Sequence, residues 1–309
     1  MNLKSHIYGP VPSRRLGFSL GIDVIPYKTC SFDCVYCQLG KTTNKTVKRD
    51  EYVPKDGVLS QVKNAVASKR RIDYLTFSGS GEPTLNSGVG YLIREIKKFT
   101  KIPVVILTNG SLLFMQALQE EIKEADLVVP SLDAGTQRTF EIINRPHPSI
   151  DMEKIIKGLL DFRKVFKGKM WLEIMLVKGI NDSLEEIEEM KRIVERVNPD
   201  KVQLNTVVRP PSEDFAKPLT FEDLKKIRDI FGKGCEIIAG FKGKREEAYI
   251  QDIEGEILSL IRRRPVTLSD ISSALGIHQN EVIKYLQALE EKGAIKIKRY
   301  GDERYYEPL

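Results

Sequence analysis

Three of the four cysteines crowd into Cys30-Ser31-Phe32-Asp33-Cys34-Val35-Tyr36-Cys37, a C-x3-C-x2-C spacing, while Cys235 stands alone. Thiols so close along a polar loop can wrap one inorganic centre. On a four-iron cluster, three ligands leave one iron open to a small chelating molecule. Two other readings stand beside this one. A structural zinc wants four ligands, and none of Cys235, His6, His147 or His278 is near the trio in sequence, although folding can bring one over. Three plainly buried cysteines are the remaining reading, against the polarity of the loop.

Other chemically useful residues stand at the ends of apolar runs. Ser78-Gly79-Ser80-Gly81-Glu82-Pro83 follows the run 72–77, Thr108-Asn109-Gly110 follows 104–107, and Ser131-Leu132-Asp133 follows 127–129. Glycine after a strand is commonly turn chemistry, whereas the carboxylate of Glu82 suits a ligand ammonium. Glu173 lies inside the apolar run 171–177, where an unpaired carboxylate would be costly. Gln203 and Asn205 interrupt the run 202–208, as polar residues lining a cavity do. Arg14 and Arg15 precede the first run. Arg209 follows the last; it either clamps a carboxylate or phosphate or sits at the surface before Pro210-Pro211.

The elements that position these groups follow from periodicity. Runs at 18–25, 72–77, 104–107, 127–129, 171–177 and 202–208 are short, continuous and rich in branched residues, as strands covered on both faces are. Helical patterns at 58–68, 91–99, 113–123, 152–166, 184–197 and 221–231 separate them. Alternating units of this kind make a parallel sheet with right-handed crossovers. Six units are fewer than a full eightfold barrel, so residues 1–240 are expected to form an α/β fold, a partial (β/α)6 TIM-like barrel with its chemistry at the C-terminal strand ends. Residues 241–250 read as a charged connector. Beyond it, helices at 252–263, 268–275 and 279–292, a tight turn at Gly276, a terminator at Gly293 and a hairpin turning at Gly301-Asp302 form the pattern of a winged helix-turn-helix over 251–309. Such a unit reads nucleic acid with its third helix or docks protein. The third helix offers His278, Gln279, Asn280, Lys284 and Tyr285, and the wing offers Lys296, Lys298, Arg299 and Arg304.

The 309 residues carry a formal charge of +6. Residues 251–309 hold nine Lys/Arg against ten Asp/Glu, so the positive surplus lies in residues 1–250. That surplus suits an anionic partner, or is a solvated surface. No apolar stretch approaches the ~20 residues of a membrane span, and the N-terminus lacks a signal-peptide layout, so a cytoplasmic location is expected. A reducing compartment argues against disulfides.

The cysteine motif, with Tyr36 just before its last cysteine and the strand-end motifs in matching order, resembles the radical S-adenosylmethionine superfamily over residues 10–240. That resemblance implies a [4Fe-4S] cluster on Cys30, Cys34 and Cys37. The open iron would chelate S-adenosylmethionine, and one electron would break its sulfur–carbon bond to give a hydrogen-abstracting 5′-deoxyadenosyl radical. It implies Gly81 and Glu82 at the methionine end, Gly79 and Asn109 among the cofactor contacts, Tyr36 at the adenine or in packing, and Ser131, Asp133 or Glu173 at ribose or carboxylate. Substrate contacts would come from Arg14, Arg15, Gln203, Asn205 and Arg209, and electrons from flavodoxin or ferredoxin. The opening Tyr8-Gly9-Pro10-Val11-Pro12-Ser13-Arg14-Arg15-Leu16-Gly17, with Gly21-Ile22-Asp23 and Gln38-Leu39-Gly40, is similar to a subgroup of archaeal and bacterial iron–sulfur oxidoreductases near the wyosine-forming tRNA enzymes. Those enzymes carry a second cluster that one spare cysteine cannot build, so Cys235 is either simply buried or poised for chemistry. Three functions remain open: a radical enzyme acting on RNA, foremost tRNA; one acting on a small molecule or polypeptide with the winged helix as protein dock; and a cluster-bearing DNA-binding regulator, which leaves the Gly79–Glu82 motif without a purpose.

Overall fold

Branched apolar residues in short runs become the strands of one sheet. The computed structural model describes residues 6–13, 15–68, 71–239, 247–263, 265–275, 277–300 and 303–309. Arg14, Gly240, most of the expected connector, Gly276 and Gly301-Asp302 lie outside them. In chain order the first part runs β1 (Ile7–Ser13), β2 (Gly17–Ile22), β3 (Thr29–Cys30), β4 (Asn44–Lys45), α1 (Lys55–Ala67), β5 (Tyr74–Phe77), α2 (Val89–Phe99), β6 (Val104–Thr108), α3 (Gln116–Ile122), β7 (Leu127–Pro130), α4 (Gln137–Ile143), α5 (Met152–Val165), β8 (Lys169–Leu176), α6 (Leu184–Val197), β9 (Lys201–Thr206), α7 (Phe221–Phe231) and β10 (Cys235–Ile237). The eight-stranded sheet has the order β1-β2-β5-β6-β7-β8-β9-β10. Every neighbouring pair from β2 to β10 is parallel, and β1 joins β2 antiparallel. This is the partial TIM-like barrel the repeated units require.

Strand β8 explains how one strand serves both core and site. Met170, Leu172, Ile174 and Leu176 are fully buried, while Trp171, Glu173 and Met175 alternate with them and are only partly buried, as the period of two in a strand demands. Gln203 and Asn205 of β9 stand in register with Glu173 and Met175, so they share that second face. Side-chain caps start the helices: Thr136, Asp151, Ser183 and Thr220 each accept a backbone N–H from the first turn.

The C-terminal part comprises α8 (Glu247–Arg263), β11 (Val266–Thr267), α9 (Leu268–Leu275), α10 (Gln279–Glu291), β12 (Ile295–Tyr300) and β13 (Glu303–Pro308). Its three strands pair antiparallel in the order β11-β13-β12. Ile257, Ile261, Ile271, Val282, Leu286, Leu289 and Ile295 form a buried cluster of their own.

Four details differ from the sequence expectation. Strands β1 and β10 extend the sheet at its two edges, and α4 adds two turns after β7. Strand β10 is only three half-buried residues, too brief for periodicity to register. Helix α8 begins at Glu247, inside the expected connector. No helix among the described residues is long and apolar enough to cross a membrane.

Candidate active site

The loop that leaves β2 lies across the C-terminal ends of the strands and carries the cysteine trio. Its entry is a tight turn in which Lys28 adopts a left-handed φ of 59°, a conformation uncommon for a residue with a side chain. The Lys28 N–H donates to the Ser80 carbonyl at 2.7 Å, and the Glu82 N–H donates to the Thr29 carbonyl at 3.2 Å. The Gly79–Glu82 segment is thus laced to the backbone just before Cys30. That close approach requires glycine, because a Cβ on Gly81 would overlap the Thr29 carbonyl oxygen. A Cβ on Gly79 would meet the Asp23 carboxyl group, with Oδ2 at 2.7 Å.

Each sulfur of the trio faces at least one N–H donor, and Cys30 also accepts from the Phe32 backbone. Asn109 Nδ2 lies 3.5 Å from Cys30, Asn144 Nδ2 lies 3.4 Å from Cys34, and Lys28 Nζ lies 3.4 Å from Cys37. Lys28 is only 3% exposed and also donates to the Gly40 carbonyl. Burial pushes the Cys30 thiol up to about 12, helped by the Glu82 carboxylate. Burial, then Asp133, raises the Cys34 thiol well above its ordinary value. Bare, these groups hold their protons; a metal must displace them. Among the described residues no three His, Cys, Asp or Glu side chains converge on a point to hold a single ion. The three sulfurs instead open on one shared cavity. N–H donors beside thiolates that surround a space suit a polynuclear iron–sulfur centre, so the residues present fit one.

That cavity, about 350 Å³ in volume, also takes in Tyr36, Gly79, Gly81, Arg15, Glu173, Asn205, Arg209 and Lys284. Arg15 grips Glu173 with two parallel bonds of 2.6 and 2.8 Å, and Asn205 Nδ2 adds a third at 2.9 Å. Arg209 donates from Nε to Gln287 Oε1 at 2.7 Å and also to the Gln38 side-chain carbonyl. The Arg15 and Glu173 side chains are 10% and 15% exposed. Glu173→Gln is therefore expected to strand a buried guanidinium and destabilise the folded chain by about 3 kcal/mol. Denaturant unfolding checks this; an unchanged midpoint and slope would show that the pair contributes nothing.

Other site expectations land elsewhere. Glu82 is 2% exposed and is not part of the cavity wall. Its carboxylate accepts from the Thr84 N–H and hydroxyl, from the Thr108 hydroxyl at 2.6 Å and from the Asn109 N–H at 2.7 Å. It pins the glycine loop to the end of β6, and the wall at this point is Gly79, Ser80 and Gly81. Burial is the largest influence on this carboxyl and raises it, although all four bonds oppose the shift. Asp133 is likewise occupied, accepting from Tyr36 at 2.5 Å, Asn144 at 2.8 Å and the Met175 N–H at 2.9 Å; burial lifts it to about 6. Asn109, Ser131 and Asp133 line a separate small pocket of about 10 Å³. Gln203 is fully buried and donates to Glu236, away from the cavity. Cys235 starts β10, outside the cavity, and burial pushes it up to about 12.

The C-terminal basic residues also fall differently from a solvent-facing reader of nucleic acid. Helix α10 lies against the barrel mouth: His278 stacks on Tyr8 at 4.7 Å, and its Nε2 meets Asp23 at 2.9 Å. Asn280, Glu281 and Tyr285 are buried. Arg299 pairs with Asp214 at 2.8 Å, and Arg304 donates to the Pro210 carbonyl at 2.8 Å, so both face the barrel. Lys296 sits 3.6 Å from Glu307, and both Lys296 and Lys298 are exposed. Sequence reasoning missed Lys28, Asn144 and Tyr8 as parts of the site. Lys28, two residues before Cys30, carried a positional hint, and Tyr8 opens the N-terminal motif of the subgroup resemblance.

A family model described as the Radical SAM superfamily matches residues 24–194, and the chain belongs to that superfamily: it is an enzyme class built on S-adenosylmethionine and an iron–sulfur cluster. Within it the chain belongs with the UPF0026 proteins. It is 38% identical to the UPF0026 protein MJ1312 of Methanocaldococcus jannaschii, over 87% of this chain and 85% of that one. It is also 43% identical to a Brachyspira hyodysenteriae protein named GTPase Obg, over 94% of this chain but only 43% of that longer protein. A more distant relative, at 26% identity over 61% of this chain and 54% of its own length, is the dual-specificity RNA methyltransferase RlmN of Oleidesulfovibrio alaskensis. Among solved structures, TYW1 with a lysine–pyruvate adduct bound shares the fold, with a TM-score of 0.54 and 16% identity over 71% of this chain and 75% of that one.

Proposed function

We propose that the protein abstracts a hydrogen atom from a substrate held beside S-adenosylmethionine, in the cavity between the barrel mouth and α10. The observation that carries this reading is the meeting around one space of three half-buried cysteines, the Gly79–Gly81 loop and the Arg15–Glu173–Asn205 group. Cys30, Cys34 and Cys37 would hold the [4Fe-4S] cluster. When bound, cluster and cofactor supply reductive cleavage of a sulfur–carbon bond and the radical that follows. The chain's own part is to position and to shield. Lys28, Asn109 and Asn144 donate to the sulfurs, Gly79 and Gly81 offer bare backbone to the methionine end, and α10 keeps water from the reacting groups. In this reading residues 1–240 are the barrel, the expected connector of 241–250 gives way to α8 at Glu247, and the C-terminal part through 309 is a winged helix, while a one-electron donor such as flavodoxin or ferredoxin completes the system. The test is anaerobic reconstitution and reduction followed by assay for 5′-deoxyadenosine and methionine. An intact cluster that releases neither sinks the proposal.

A second reading makes RNA, foremost tRNA, the substrate. The RlmN relative and the positive surplus of residues 1–250 favour it, and Lys296 and Lys298 are its exposed cations. With α10 seated on the mouth, RNA would have to enter past that helix. Modified nucleosides in tRNA from cells with and without the protein decide the matter: an identical inventory removes this reading.

A further inference from the structure

Helix α10 does more than cover the cavity, because two of its side chains are part of the wall. Asn280 is 7% exposed and lines the cavity, and its Nδ2 has no hydrogen-bond partner. A buried donor left unpaired is costly, and an acceptor arriving in the cavity relieves that cost. Lys284 stands four residues on, on the same helical face, and lines the same space. The position of Asn280 is not loose. The Asn280 N–H donates to Nδ1 of His278, so the other ring nitrogen carries the proton toward Asp23. Asp23 in turn accepts the Ser80 N–H at 3.1 Å. The first turn of α10 is thereby tied to the loop that holds Gly79 and Gly81.

The charge of the wall points the same way. Among the described residues Arg15, Lys28, Arg209 and Lys284 line the cavity against one carboxylate, Glu173, which Arg15 already grips with both nitrogens. A confined space with that balance concentrates anions.

We propose that Asn280 and Lys284 form an oxyanion site that takes a carboxylate or phosphate group of the substrate, so that the C-terminal part supplies substrate recognition to the barrel. This rests on the reading that cavity, cofactor and substrate belong together. The experiment uses the full chain with reconstituted cluster and S-adenosylmethionine, titrated calorimetrically with inorganic phosphate and separately with succinate at constant ionic strength. At least one probe is expected to bind. Lys284→Gln should weaken it by about tenfold or more and Asn280→Ala severalfold, whereas Lys284→Arg should stay within about threefold. The affinity for S-adenosylmethionine, measured on the same samples, should hold within about twofold. Probe affinities unchanged in all three variants overturn the proposal. So does a parallel loss of S-adenosylmethionine affinity, which would make the cofactor's own carboxylate the bound anion. If the wild-type chain binds no S-adenosylmethionine at all, the reading beneath the proposal fails first, and visibly so.

Discussion

Cys34→Ala is expected to lower iron retention by more than roughly 100-fold and to bring S-adenosylmethionine cleavage down to the reagent blank. The figure is a floor, since changing groups that merely hydrogen-bond to metal ligands already costs 10- to 100-fold. Cys34 is the middle cysteine of the trio, and its surroundings are organised round the sulfur. Asn144 reaches it from the C-terminus of α4, the Val35 N–H is held by the Ile143 carbonyl at 2.9 Å, and Asp133 fixes Asn144 at 2.8 Å. Alanine removes one sulfur and leaves that scaffold standing, so the fold should persist. Cys235→Ala is the matched control, with expected retention of full iron, because Cys235 lies at the edge strand β10. Iron and sulfide analysis with electron paramagnetic resonance reads both variants. Equal iron in Cys34→Ala and wild type would remove Cys34 from the ligand set.

The contrast between Cys34 and Asn144 shows which parts of the site the sequence discloses. Cysteines closely spaced on one loop are visible as a motif, whereas the donors beside their sulfurs arrive from other elements. Asn144 caps α4, a two-turn helix with no long amphipathic pattern to reveal it. Lys28 acts through a left-handed turn that no spacing rule detects. The parallel strands were legible because continuous apolar runs such as 104–107 and 127–129 have no other comfortable place than a sheet covered on both faces. Glu82 was legible as a chemically important residue, but its partners Thr108 and Asn109 come from the end of β6. Only the packed strands show that its carboxylate is already engaged. Arg299 and Arg304 make the same point at the C-terminus: a basic stripe in sequence becomes a set of ties to Asp214 and Pro210 once the layers meet.

Gly81→Ala is expected to damage the site without touching a cysteine. A Cβ at this position would overlap the Thr29 carbonyl oxygen, stand 2.8 Å from its carbon and 2.9 Å from Ile25 Cγ2. Two of these neighbours are backbone, so no rotamer change relieves the clash, and overpacking of this kind costs about 1–3 kcal/mol or more. The Thr29 carbonyl also accepts the Glu82 N–H. Any shift that makes room therefore pulls either Cys30, one residue on, or Glu82 and the β6 end it is bonded to. The variant should unfold at lower denaturant and lose much of its iron, with cleavage falling in proportion to cluster content. Gly57→Ala provides the opposite expectation. It sits within α1, where the nearest atom to a new Cβ is Pro54 Cβ at 3.9 Å, so alanine should stabilise by up to about 1 kcal/mol and leave the iron unchanged. If Gly81→Ala kept wild-type stability and iron, the lacing of the glycine loop to the cysteine loop could not be what holds Cys30 in place. Cys30 would then be held by its other ties, among them the Thr46 N–H that donates to its carbonyl at 2.9 Å and the Asn109 amide beside its sulfur.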